Sequence, residues 1–225
     1  MLAWEKLDGE AVPGDDTVME LLRRGTELVI RVSGRELMSS RVHGSEDALA
    51  DLACDRLKDR PAARILVGGL GMGFTLAAAL RGVGPEGQVT VAELVPAVVR
   101  WSRGPIGPVA GHPLSDPRAV VYQGDVADMV RQPPQPWDAI LLDVDNGPHG
   151  LTRATNDWLY TWQGLAAAHA ALTPKGILAV WSAADDRAFT RRIERAGFDV
   201  EPVEVRARGK KGGHRHVIWL GVKRG

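Results

Sequence analysis

The stretch from Ile65 to Thr75, which reads I-L-V-G-G-L-G-M-G-F-T, decides the fold of this chain. Its first residues are continuously apolar, as in a strand that is buried on both faces of a parallel sheet. Glycines follow at Gly69, Gly71 and Gly73, and an Ala- and Leu-rich helical segment comes next. Glycine permits positive φ angles and lets a ligand approach the backbone amides at the start of a helix. The stretch therefore predicts a strand–loop–helix unit that binds a ligand, with a tight turn without a ligand as the alternative.

Strands and helices alternate through the rest of the chain after this unit. The apolar patterns predict seven strands, at Arg64–Gly68, Gln88–Glu93, Ala119–Gln123, Ala139–Asp143, Ile177–Trp181, Val200–Arg206 and His216–Val222. Helical stretches separate most of them, which is typical of an α/β fold with a parallel sheet. The last two strands flank a basic, glycine-rich turn and predict an antiparallel C-terminal hairpin. We therefore expect a Rossmann-like α/β fold with a mostly parallel seven-stranded sheet.

The first 44 residues have a different pattern. Turn signals at Arg24-Gly25 and Ser33-Gly34 flank an alternating apolar segment, which predicts a half-buried hairpin strand. Ser45 is followed by two acids and then by an apolar helical face, so we expect it to be a helix N-cap. The predicted division is a small N-terminal β region over residues 1–44 and an α/β domain over residues 45–225.

Composition excludes several classes of protein. The 225 residues carry 28 Lys and Arg against 28 Asp and Glu, and 44% are apolar, which are ordinary globular values. One cysteine cannot form an intrachain disulfide, and no apolar stretch is long enough to predict a membrane span. Since no signal peptide is recognisable, we expect a cytoplasmic protein. The zero net charge is uneven, because the last twenty residues hold seven bases and no acid, which leaves 21 bases against 28 acids elsewhere.

The spacing of the glycines narrows the choice of ligand. Dinucleotide-binding loops read G-x-G-x-x-G and nucleotide triphosphate loops end in Gly-Lys-Ser/Thr, and neither pattern occurs here. The observed G-x-G-x-G resembles motif I of class I S-adenosylmethionine-dependent methyltransferases. Glu93 ends the next strand, where an acid can accept hydrogen bonds from both ribose hydroxyls. The resemblance implies that Asp125 contacts the adenine amino group and that the backbone of Val126 meets the ring; a helix N-cap is the alternative role for Asp125.

Acids also follow the fourth strand of the predicted sheet, in the segment D-V-D-N-G-P-H from Asp143 to His149. In open α/β sheets the ligand crevice lies outside the carboxyl ends of the strands. Asp143 or Asp145 could therefore hold the cationic end of the cofactor or accept a proton from an amine nucleophile. The alternative is that Asn146-Gly147-Pro148 is simply a turn that the acids cap.

Taken together, these segments resemble the spermidine synthase-like branch of the class I methyltransferase superfamily, over roughly Val29 to Trp181. The resemblance implies a class I methyltransferase fold and a cofactor that is S-adenosylmethionine or its decarboxylated form. Three departures stand out. Met72 occupies the position of the acid in the branch's G-G-G-D-G-G loop, the D-x-[ST]-D-P-x-G signature is only partly met after Asp143, and the D-E-x-x-Y-H-E signature is reduced to Glu46.

A diamine substrate needs several acids, because uncompensated buried charge is costly. The sequence therefore favours a small-molecule methyltransferase, with a polyamine aminopropyltransferase or a non-catalytic nucleotide-binding relative as alternatives. The basic tail leaves nucleic acid as a less favoured substrate. Trp158 and Trp162 could form an aromatic wall over a substrate, or could be core or homodimer contacts. The histidines show no metal-ligand spacing, and in-line group transfer needs positioning rather than a metal.

Overall fold

The computed structural model describes residues 2–14, 17–144, 157–209 and 212–225. Two sheets organise these residues. The N-terminal sheet has four antiparallel strands in the order β1-β2-β3-β4. Its strands are β1 (Glu5–Ala11), β2 (Val18–Arg24), β3 (Glu27–Val32) and β4 (Arg35–Ser39).

The second sheet has seven strands in the order β10-β11-β9-β8-β5-β6-β7. Its strands are β5 (Arg64–Gly68), β6 (Gln88–Glu93), β7 (Ala119–Gln123), β8 (Trp137–Leu142), β9 (Leu172–Ser182), β10 (Phe198–Arg206) and β11 (Arg215–Lys223). Five strands from β7 to β9 are parallel, whereas β11 runs antiparallel between β9 and β10. The predicted α/β fold with a mostly parallel seven-stranded sheet and a C-terminal hairpin is confirmed.

Helices cover both faces of the larger sheet. They are α1 (Gly44–Asp55), α2 (Phe74–Gly82), α3 (Pro96–Arg103), α4 (Val126–Arg131), α5 (Asp157–Tyr160), α6 (Trp162–Ala171) and α7 (Arg187–Arg195). Each face buries its own apolar cluster. One cluster includes Leu49 of α1, Leu76 of α2 and Ile218 of β11, and the other includes Leu165 of α6 and Phe189 of α7. This layering explains the apolar runs of the central strands, since residues on both faces of those strands are buried.

The N-terminal region is larger than a single hairpin. In β3, Leu28, Val29 and Ile30 are all almost fully buried, so this strand is covered on both faces rather than half-buried. Leu28 and Ile30 belong to the same apolar cluster as α1 and α2. The small sheet therefore shares a core with the α/β domain, while the boundary at residues 44 and 45 stays a prediction.

Ser45 is not the N-cap of α1. The helix begins at Gly44, and His43 occupies the cap position without a side-chain cap hydrogen bond. A Cβ atom on Gly44 would lie 2.3 Å from the backbone nitrogen of Gly209, and the Gly44 amide donates to the Ala207 carbonyl at 2.8 Å. The C-terminal hairpin thus sets the start of the helix, and it leaves the Ser45 hydroxyl free for contacts inside the domain.

Candidate functional site

One large cavity, of about 480 Å³, lies at the carboxyl edge of the parallel strands. Backbone hydrogen bonds hold the strand ends together at this edge: Gly69 donates to Ala92, Gly124 donates to Glu93, and Asp143 donates to Gly68, at 2.9 to 3.0 Å. Parallel strands place their carboxyl ends side by side, so loops that are distant in sequence meet there. The cavity is lined by Gly69, Gly71, Glu93, Gly124, Asp125, Val126 and Asp143, among others.

The glycine loop has the backbone conformation that its sequence predicts. Gly69, Gly71 and Gly73 have φ angles of 87°, 50° and 86°. A Cβ on Gly69 would lie 2.6 Å from the Asp143 carbonyl oxygen, and one on Gly71 would lie 2.6 Å from the Met38 side chain. The bend at Gly69 and Gly71, here the glycine cradle, therefore packs closer to Asp143 and Met38 than a residue with a side chain could. Gly73 is different, because it caps α2, faces Pro113 and is not among the described residues that line the cavity.

Met72, which occupies the acid position in the resemblance, points away from the cavity. Its side chain is 1% exposed and belongs to the main apolar cluster. No carboxylate can reach the cavity from this position of the loop. Any acid beside the glycine loop must therefore come from another segment of the chain.

The carboxylate of Glu93 is buried at the end of β6 and accepts backbone hydrogen bonds. Its two oxygens receive the amides of Leu70 at 3.0 Å and Val95 at 2.8 Å. Burial raises the pKa of Glu93, and the backbone hydrogen bonds oppose that rise because they stabilise the ionised form. Glu93 thus holds the glycine loop against the start of α3 while it lines the cavity.

Asp125 follows β7 and takes the helix-cap role as well as a place in the cavity. Its Oδ1 accepts the amide of Ala127 at 2.8 Å, which caps α4. Val126, the first residue of that helix, is buried and also lines the cavity. The two roles weighed for Asp125 are compatible, since a carboxylate that caps a helix with one oxygen has further lone pairs for a ligand.

Asp143 directly follows β8 and also lines the cavity. Thr75 is the second residue of α2, and its hydroxyl donates to Asp143 Oδ2 at 2.5 Å. Burial raises the pKa of Asp143 to about 6, and the Thr75 hydrogen bond opposes the rise. Asp145, the alternate catalytic candidate, lies outside the described residues, as do Asn146 and His149.

Glu46 joins Asp143 in the cavity, although its only predicted role was as the residue left of an incomplete signature. It lies in the first turn of α1. Burial, together with the negative charge of Asp143, raises the pKa of Glu46 to about 7. Two acids that share one cavity oppose each other's ionisation, so ionisation of the first makes ionisation of the second harder. The sequence signals for this residue were its position after Ser45 at a helix start and the reduced D-E-x-x-Y-H-E signature.

The C-terminal hairpin also reaches this side of the cavity. His214 and His216 line it, together with Trp181 of β9. His216 Nδ1 lies 3.0 Å from the Ser45 hydroxyl, and its ring packs edge-on against Trp181 with centroids 4.7 Å apart. Lys210 and Lys211 of the basic turn lie outside the described residues. The tail therefore contributes two histidines to the site, which its basic composition did not predict.

The tryptophan pair after the acidic loop does not line the cavity. Trp158 packs partly into the second apolar cluster, and the Arg131 guanidinium lies 3.8 Å from its ring centroid. Trp162 is 52% exposed. Neither residue forms the aromatic wall that was considered as one alternative, and a homodimer contact stays a prediction. In the described part of the chain, no helix is both long enough and apolar enough to cross a membrane.

Comparison with known proteins identifies the fold. No family model matches the chain. The chain superposes on a spermidine synthase in complex with the transition-state analogue AdoDATO (TM-score 0.74, 17% identity, 97% of this chain and 72% of that one). It also superposes on the spermidine synthase of Thermotoga maritima (TM-score 0.75, 16% identity, 97% and 72%) and on a probable spermidine synthase of Corynebacterium glutamicum ATCC 13032 (TM-score 0.65, 18% identity, 97% and 79%). The resemblance to the spermidine synthase-like branch is confirmed at the level of the fold.

One curated relative matches by sequence. It is polyamine aminopropyltransferase 1 of Streptomyces coelicolor, which is 30% identical over 153 residues, or 64% of this chain. The match spans only 28% of the length of that relative. These comparisons contradict the expectation of a small-molecule methyltransferase, because the matched proteins are aminopropyltransferases and spermidine synthases. That expectation rested on three departures from the signatures of the branch, one of which left only Glu46, and the fold brings Glu46 into the same cavity as Asp143.

Proposed function

We propose that this chain is an aminopropyltransferase that uses decarboxylated S-adenosylmethionine as donor and a small amine as acceptor. The observation that carries the proposal is the pair of partly buried acids, Glu46 and Asp143, that line the cavity beside the glycine loop. The names of the matched proteins support the same reaction class.

The donor side of the cavity suits an adenosyl group. In the proposal, the cradle at Gly69 and Gly71 receives the end of the donor next to sulfur, because both glycines line the cavity. Glu93 accepts hydrogen bonds from the ribose hydroxyls, and Asp125 accepts one from the adenine amino group. The backbone of Val126 meets the ring.

The acids explain why a decarboxylated donor is preferred. Asp143 contacts the glycine loop through its backbone and lies in the same cavity as Glu46. A donor that ends in an ammonium group is attracted to these acids, whereas a donor with an additional carboxylate is repelled by them. This preference does not need the acid that Met72 replaces.

The same acids can prepare the acceptor. Decarboxylated S-adenosylmethionine supplies an aminopropyl group on a sulfonium sulfur: as the amine nitrogen forms its new C–N bond, the C–S bond breaks and its electron pair stays on sulfur as a thioether. An alkylammonium must lose one proton before it can attack, and the new secondary amine leaves as an ammonium, so one proton per turnover has to be accepted and released. Carboxyl groups with pKa values raised toward neutral pH are suited to accept these protons.

A donor-exchange experiment tests the proposal. Calorimetric titration of the full chain should show tighter binding of decarboxylated S-adenosylmethionine than of S-adenosylmethionine, and mass spectrometry should detect an aminopropylated amine when a diamine or monoamine is added. Glu46→Gln should reduce the donor preference, while the exposed Glu204→Gln should keep it. Tighter binding of the carboxylated donor, or donor binding without aminopropyl product from any amine, would overturn the proposal; the second result would support the non-catalytic relative.

A further inference from the structure

A row of polar side chains leads from the two acids to the C-terminal hairpin. The Ser45 hydroxyl donates to Glu46 Oε2 at 2.7 Å, and His216 Nδ1 lies 3.0 Å from the same hydroxyl oxygen. Ser45 is 1% exposed, so water does not compete for these contacts. Beyond His216, the exposed His214 lines the outer part of the same cavity. The row therefore runs from the partly buried carboxyl group of Glu46 to histidines on the solvent side of the hairpin.

The fold brings these residues together for a topological reason. Because β11 is the antiparallel strand of the sheet, it begins at the edge where the parallel strands end. His216 is its second residue and therefore lies at the cavity. Helix α1 packs on the same face of β9 and β11, and its close contact with the hairpin at Gly44 fixes its first turn.

The imidazole of His216 is held in a defined environment. Trp181 packs against it edge-on, and burial together with the nearby His214 lowers the pKa of His216. Neutral imidazole has one N–H and one lone pair, and a hydroxyl can donate and accept at once. When Glu46 is ionised, Ser45 donates to it and accepts from His216 Nδ1–H. When Glu46 is protonated, both hydrogen bonds can reverse.

We propose that Ser45 and His216 form a proton relay that carries the proton taken up by Glu46 from the acceptor amine out to solvent. Protonated Glu46 gives its proton to the Ser45 oxygen as the Ser45 hydroxyl proton passes to His216 Nδ1. His216 then releases a proton from Nε2 to water, and exchange with water restores the starting tautomer. The relay rests on the proposed function. His216 does not contact the substrate in it, and it affects the reaction through Glu46, as a positioning residue.

The charges around His216 are consistent with this role. The titratable group that acts on His216 is His214, just before its strand. Ser45 joins His216 to Glu46 of α1, and the charged neighbours of Glu46 are Asp143 and His43. The neighbours of His216 on β9 and β10, Trp181 and Val205, carry no charge. Arg206 and Arg215 lie opposite each other on β10 and β11, one position along from Val205 and His216. The Arg215 side chain donates a hydrogen bond to Glu204 on the exposed surface. The acids are therefore the charged groups with which His216 can exchange a proton through one hydroxyl.

Kinetics with chemical rescue test the relay. Ser45→Ala and His216→Gln should each lower kcat about tenfold, and added imidazole should restore part of the loss. The matched control Arg215→Gln removes a charge from the same strand but should keep the wild-type pH profile. The relay is wrong if kcat in both relay variants stays within twofold of the wild type across the pH range. It is also wrong if kcat falls equally at every pH and imidazole does not restore it.

A second measurement does not depend on turnover. Nitrogen NMR of histidine in the full chain should show that His216 changes from the Nε2–H to the Nδ1–H tautomer as Glu46 ionises between pH 5 and pH 8. Ser45→Ala should abolish that change. If wild-type protein forms no aminopropyl product yet shows the tautomer change, the proposed function fails, but the hydrogen-bonded connection from Glu46 through Ser45 to His216 stands. If the product forms but the tautomer is independent of Ser45, only the relay fails.

Discussion

The two sides of the cavity are built in different ways. On the donor side, the carboxylates of Glu93 and Asp125 accept backbone amides, and the glycine loop exposes backbone. On the acceptor side, Glu46 and Asp143 come from segments about a hundred residues apart; burial raises the pKa of both, and the charge of Asp143 adds to the rise for Glu46. Burial also raises the pKa of Glu93, but backbone amides oppose that rise by stabilising its ionised form. The acceptor side holds charge at a cost, which is typical of groups that exchange protons.

Asp143→Asn should have the largest effect. The substitution removes an acid but keeps the size of the side chain, so the fold should remain intact while kcat falls by about 10²–10⁴ fold. Steady-state kinetics with a saturating donor measure the change, and the surface variant Asp199→Asn serves as the control. A variant with near-normal kcat would remove Asp143 from the chemistry and leave Glu46 as the base.

Glu93→Ala should act on donor affinity instead. The variant removes the acceptor of the Leu70 and Val95 amides and of the proposed ribose hydroxyls, so donor binding should weaken by about 1–3 kcal/mol. Calorimetric titration measures the loss, and Gln88→Ala, at the exposed start of the same strand, is the control. If the Kd is unchanged and only kcat falls, the division of roles between the two sides is wrong.

Glu46→Gln should produce a smaller effect that depends on pH. A carboxyl group whose pKa is raised by folding binds more protons in the native than in the unfolded state, so its contribution to stability is present at low pH and is lost as pH rises through about 7. The Gln variant avoids that loss. It should match the wild-type free energy of unfolding near pH 4 and exceed it by about 1–3 kcal/mol at pH 8.

Urea unfolding followed by tryptophan fluorescence at both pH values measures this difference. The exposed Glu204→Gln should change the free energy of unfolding little at either pH. A Glu46→Gln variant that is less stable than the wild type at pH 8 would show that the carboxylate is compensated in the native state. The acceptor side would then resemble the donor side.

Local patterns predicted the strands that end at the cavity. The strand boundaries at Arg64–Gly68, Gln88–Glu93 and Ala119–Gln123 agree with the structure, and each ends beside a residue that lines the cavity. The reason is that a strand–glycine–helix unit encodes its own backbone conformation within about ten residues. The glycines, Glu93 and Asp125 needed no distant partner to be recognised as candidates.

The acceptor side was predicted poorly for the opposite reason. Ser45 was expected to cap a helix, but the hairpin around Gly209 moves the helix start and turns the hydroxyl toward His216. Glu46 was set aside because the signature around it is incomplete. Its importance depends on burial next to Asp143, and no spacing along the chain reports that burial.

The sequence by itself determined the order of strands and helices, the glycine cradle and the acids at the strand ends. These features depend on periodicity and on backbone conformations that a few neighbouring residues specify. Only the tertiary structure decided that Glu46, Asp143 and His216 share one cavity. Their proximity follows from packing α1 across the sheet and from the antiparallel direction of β11, and the raised pKa values of the two acids exist only once that packing has removed water from them.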